Sequence, residues 1–247
     1  MTMKNILNFN EFKSNRNINP VAIQYLNNEI TETQLESYIF STNEGVIGDF
    51  FKNIKEKILD VFYTFLMKAM GAKDILKKVL NFAQKIVQYI QKFKKKHPIL
   101  FKAILVFIII VILLLISSQQ IQAHEIVNGK LHLTNTDELN TAYGFIDANY
   151  KDLLSNHATG VDASQIAMEA KTYLKELING NTDQVHLHNE AISLAKTAIK
   201  TIQDAVKHTN DTNDANQLSH ILNYLKDGMS HTLEIVKNGN TTTVTLK

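Results

Sequence analysis

Residues Ile99 to Ser118, ILFKAILVFIIIVILLLISS, decide how the chain is read. From Ala103 to Ile116 the run holds six Ile, four Leu and two Val, and no polar side chain. A helix rises 1.5 Å per residue, so about 20 residues cross the roughly 30 Å apolar core of a bilayer. The stretch reaches that length once Lys102 extends its ammonium toward the interface. The alternative, a helix buried in a soluble core, seldom lacks a polar face altogether. The sequence therefore predicts a membrane span over 99–118, with Ile99, Phe101, Leu105, Phe107, Ile110, Leu113 and Ile116 along it. A secretory signal does not fit. About a hundred residues precede the run, its apolar core exceeds the usual length of about 7–15 residues, and Gln122-Ala123 is a poor cleavage site.

Charge divides at the same place. Residues 1–102 carry 16 Lys plus Arg against 9 Asp plus Glu, and residues 103–247 carry 10 against 15. Lys92, Lys94, Lys95, Lys96 and Lys102 crowd the N-terminal end of the span. By the positive-inside rule they hold that end cytoplasmic and place the C-terminal part outside. The cluster is foremost a topology signal, with anionic lipid and the phosphates of packaged DNA as alternative partners. The 247 residues fit one span with a small domain on either side. With no Cys, neither a disulfide framework nor a thiolate metal site is available.

Residues 1–44 are polar and Asn-rich. Pro20 can open a short helix from Val21 to about Asn28. Nothing in this segment could bury a core alone, so mobile helices are expected. Its opening, Met3-Lys4-Asn5-Ile6-Leu7-Asn8-Phe9-Asn10-Glu11-Phe12, resembles the leader on virion-associated proteins of large contractile-tailed bacteriophages. Asn43-Glu44-Gly45 resembles the junction that often follows, although Thr42 stands where that site usually carries an apolar residue. The resemblance implies a propeptide cut by the prohead protease between Glu44 and Gly45. It also implies a place in the virion beside other virion proteins.

Residues 45–97 predict two amphipathic helices separated at Gly71. Phe50, Ile54, Ile58, Val61, Phe62, Phe65 and Ala69 recur at helical steps in the first. Leu76, Val79, Leu80, Ala83, Ile86, Val87 and Ile90 do so in the second, with Lys77, Lys78, Lys85, Gln88 and Lys92 opposite. Aromatic apolar faces beside lysines suit the surface of a membrane, and a soluble helical hairpin is the other option. Pro98 ends or kinks the second helix before the span.

Residues 119–247 predict a small outer bundle. Four helices are expected: about 137–156, 163–178 with Asp162 as N-cap, 182–208, and 215–236. Asn128-Gly129 and Asn238-Gly239, each following Glu-Ile-Val, predict one or two short β-hairpins. The last two helices could alternatively form an extended hairpin of their own.

Catalytic patterns are missing. There is no Gly-x-Ser-x-Gly, phosphate loop or dinucleotide fingerprint. Ser117 and Ser118 end the span with no identifiable base. Eight of the nine His follow the span. His186 and His188, spaced i, i+2, point apart on a helix, so scattered solvent-facing histidines are expected and no metal or cofactor is implied. The expectation is an all-α, non-enzymatic, single-pass membrane protein that self-associates. It would be packaged with the virion and would insert into the host envelope during genome delivery. A holin-like or lysis-regulating membrane protein with an outer sensing domain is the alternative.

Overall fold

The computed structural model describes residues 18–41, 47–68, 75–126, 136–154, 163–180, 184–209 and 212–238. These form nine α-helices and no strand. The long ones enclose a single apolar helix.

The N-terminal helices are α1 (Pro20–Leu26) and α2 (Glu32–Phe40). Asn19 caps α1, accepting from the amides of Val21 at 3.0 Å and Ala22 at 3.2 Å, while Pro20 supplies the preset first turn. Asn28, at φ 62°, turns the chain in the left-handed region that asparagine tolerates. Thr31 and Gln34 then form a reciprocal capping box for α2. These helices were expected to be mobile. Instead Ala22, Tyr25, Leu35 and Ile39 are buried against their neighbours. An apolar face too small to make its own core finds one on α3 and α4.

Helices α3 (Ile47–Lys68) and α4 (Ile75–Ile90) are the expected amphipathic pair. Tyr25, Phe62, Phe65 and Phe82 pack with ring centroids 5.6–6.2 Å apart, in tilted and edge-on arrangements favoured by aromatic quadrupoles. On α4, Lys77, Gln84, Lys85 and Gln88 remain exposed. Lys85 bridges Glu32 at 2.9 Å and Glu36 at 2.7 Å, tying α2 to α4. The hydrogen bonds to those carboxylates push the Lys85 ammonium above its ordinary pKa.

A 3₁₀ turn, Gln91–Phe93, leads to α5 (Pro98–Ile126), which Pro98 opens rather than interrupts. Its segment Pro98–Ser118 is long and apolar enough to cross a membrane, and every residue of it after Ile99 is buried within the protein. Helices α6 (Thr136–Leu153), α7 (Ser164–Ile178), α8 (Gln184–His208) and α9 (Thr212–Asn238) follow. Consecutive members pack on one another, and α8 and α9 cover most of α5, with α3, α4 and α6 on its remaining sides.

Several expectations need correction. No strand forms among the described residues. His124 to Ile126 continue α5, and Glu234 to Asn238 continue α9. Extending an existing helix adds a hydrogen bond per residue without a new nucleus, whereas an isolated two-stranded hairpin is marginal in water. Asn128-Gly129 and Gly239 lie outside the described residues, as do Met3 to Phe12, Glu44, Gly45, Gly71 and Asp162. Helix α7 begins at Ser164, and Ala163 at its cap position makes no side-chain capping bond. The parts placed on opposite sides of a bilayer touch here: α3 lies against α9, and α4 against α6.

Candidate functional site

The apolar helix and the polar groups that fasten its covering form the site. Phe101, Leu105, Phe107, Ile110, Leu113 and Ile116 are buried and Ile99 is partly so. Every span residue singled out from sequence thus sits on α5, facing protein. No direction around α5 lacks an apolar side chain, so helices on all sides find an apolar partner.

The five lysines at its foot separate into two groups. Lys92 (5.1 Å from the Tyr89 ring centroid), Lys95 and Lys96 are exposed. Lys94 pairs with Asp152 of α6 and stands 5.7 Å from the Phe101 ring centroid. Lys102 is 5% exposed and donates to the Leu154 carbonyl at 2.5 Å. The basic cluster therefore fastens α5 to the helix that follows it while leaving three ammonium groups in water.

Over the middle of the span, α3 and α9 meet along a polar seam. Tyr63 donates its hydroxyl proton to Asp227, and Tyr224 donates to Asp60. Each helix supplies one tyrosine and one carboxylate three residues apart, so the pairing is reciprocal. The two rings lie edge-on at 5.9 Å, and Phe107 of α5 sits edge-on beneath Tyr224 at 6.0 Å. Lys55, 1% exposed, donates to Gln217 further along the same seam. Gly228 permits the close approach: a Cβ there would fall 2.7 Å from Leu66 Cδ2.

This seam escaped the sequence. Gln217, Asn223 and Asp227, polar residues of α9, are all buried, as is almost everything from Ala215 to Gly228. The spacing places Lys55 away from the apolar stripe of α3, whereas the structure buries it; the available signal was Tyr63, which widens the apolar side of that helix.

At the far end, Ser117 Oγ and His188 Nδ1 share a 2.7 Å hydrogen bond. The sequence offered Ser117 no base, and the structure supplies one from α8. Both residues are 2% exposed, and among the described residues His188 Nε2 has no hydrogen-bond partner. Burial pulls the imidazole down to about pKa 4. A weak, enclosed base with no group orienting its second nitrogen suits packing rather than nucleophile activation. Buried Tyr173 adjoins the pair, its phenol pushed well up, first by desolvation and then by Glu190.

His186 points the other way, as the i, i+2 spacing requires. It lies 3.6 Å from Glu176 and 3.5 Å from Glu190. One ligand atom from each of these three residues falls within 4.8 Å of the others, a grouping able to accept a divalent cation. Spacing along one chain segment could not reveal it, because Glu176 belongs to α7 and the other two to α8. Burial first, and Glu176 second, raise the Glu190 carboxyl.

Comparison with protein families, with curated proteins and with solved structures finds no match for this chain.

Proposed function

We propose that this is a non-enzymatic protein that stores a membrane span inside its own fold and later inserts it into a bilayer. The observation that carries this reading is a helix with a bilayer's length and no polar face, kept from water by amphipathic neighbours. Apolar side chains facing every direction serve the helices that surround α5, and they equally suit lipid contact all round.

The leader resemblance supports a bacteriophage setting, in which the protein travels with the virion and inserts into the host envelope during genome delivery. A bare span inside a capsid would aggregate, and a self-covering fold avoids that. Cutting between Glu44 and Gly45 would remove α1 and α2, and with them Tyr25, which packs on Phe65 and Phe82. Processing would thus thin the covering on one side. In the membrane the N-terminal part would stay cytoplasmic and the C-terminal part outside, with Lys92, Lys95 and Lys96 at the anionic surface.

Burial of the span favours a second reading, in which α5 is simply the permanent core of a soluble bundle. Intact-mass and N-terminal peptide analysis of particles and membranes, together with flotation on vesicles, separates the possibilities. Delivery predicts a chain starting at Gly45 in particles, and vesicle binding by the purified protein. A full-length chain confined to host membranes would replace delivery with a holin-like role. Failure to bind vesicles under any condition would leave the permanent core.

A further inference from the structure

We propose that the reciprocal tyrosine–aspartate pairing between α3 and α9 is the gate of the stored span. When it opens, α1 to α4 lift as a cap from α5, and the uncovered apolar faces of α3, α4 and α5 meet an anionic bilayer. This deepens the membrane-inserting function proposed above and rests on it.

The two sides of α3 differ in kind. Toward α4 and α1 it is held by Phe62, Phe65, Phe82 and Tyr25, whose burial water cannot replace. Toward α9 it is held by Tyr63–Asp227, Asp60–Tyr224 and Lys55–Gln217, whose partners water can replace once they part. The cap should therefore part from α9 along the polar seam with its aromatic interior intact, while the contacts of α3 and α4 with α5, and of α4 with α6, are exchanged for lipid. Its pivot is the 3₁₀ turn and the residues up to His97, a tight, short helical form suited to a hinge. The pairing lies beside Phe107, about 14 Å of helix rise from Pro98, so it closes over the middle of the span rather than at the pivot.

Lipid is the occupant that fits the uncovered surface. The cap's outer side carries Lys77, and its pivot carries Lys92, Lys95 and Lys96. Opening also frees the Lys55 ammonium from Gln217. The result is an apolar face rimmed by lysines, the combination that lodges a helix in an anionic interface.

The chain has no cysteine, so an engineered pair can lock the seam. Leu66→Cys with Gly228→Cys places two thiols where the Leu66 side chain of α3 meets the Gly228 backbone of α9. The full chain would be floated on phosphatidylethanolamine vesicles containing phosphatidylglycerol, oxidised and then reduced. In parallel, hydrogen exchange would be followed at the amides of residues 103–116 without lipid.

The expected result is vesicle insertion lowered about tenfold by oxidation and restored by reductant, with slower exchange in the locked form. Tyr63→Phe with Tyr224→Phe, which keeps both rings, should raise both insertion and exchange. Equal insertion by oxidised and reduced protein would overturn the gate, as would exchange unchanged by both lock and double substitution. If no form inserted but lock and substitution still moved exchange in opposite directions, the gate would stand and the membrane function would fall.

Discussion

At the scale of single residues, the polar groups against α5 are set by burial more than by charge. His188 illustrates the sign. Its folded pKa, about 4, lies below the ordinary 6.5, so the unfolded chain binds the extra proton first as pH falls. Stability should be complete above pH 6.5 and decline toward pH 4, by up to about 3 kcal/mol from this group. Glu190 works in the opposite direction, because its carboxyl is raised and its ionisation opposes folding. Denaturant titrations across pH 4–7 should therefore show a slope that His188→Gln largely removes. At Ile110, fully buried, substitution by Lys should unfold the bundle or cost several kcal/mol, seen as a lost or lowered denaturation midpoint. The spacing of His186 and His188 showed that they face apart. It could not show which faces in, because that depends on Ser117, far away in sequence.

At the scale of elements, the helices were legible wherever the apolar pattern is periodic. Phe62 and Phe65 on α3, and Val79, Ala83 and Ile86 on α4, point inward as their spacing predicts. No hairpin forms among the described residues: turn chemistry is local, while the residues leading into each Asn-Gly pair follow the helix they extend. Helix α9 was half read. Periodicity exposes an element's apolar face but not a polar face destined for another element, and Asp227 meets its partner 164 residues away. Aromatic packing should outweigh surface ion pairs in holding α1 to α4 together. Phe82→Ala should cost about 3–5 kcal/mol, whereas Lys85→Ala, on a half-exposed side chain, should cost less than about 1 kcal/mol. Thermal denaturation of the two variants distinguishes these outcomes.

For the whole molecule, the apolar helix was evident from sequence, but its surroundings were not. Hydropathy reports that a segment shuns water, without saying whether protein or lipid takes water's place. Charge asymmetry likewise suggested two compartments, and the structure uses part of it inside one body, joining Lys94 to Asp152. A chain lacking residues 1–44 should bind anionic vesicles more tightly than the full chain, measured by co-flotation, because Phe65 and Phe82 lose the Tyr25 ring that packs on them. The order of the helices along the chain also has a consequence in time. The helices that cover most of α5 follow it in the chain, and α9 ends at Asn238, about 120 residues after Ser118. At roughly 5–20 residues per second, the span waits on the order of ten seconds for its covering. During synthesis, whatever captures apolar segments as they leave the ribosome competes with α8 and α9 for α5. A chain stopped after His208, lacking α9, should be captured more often than the longer chain.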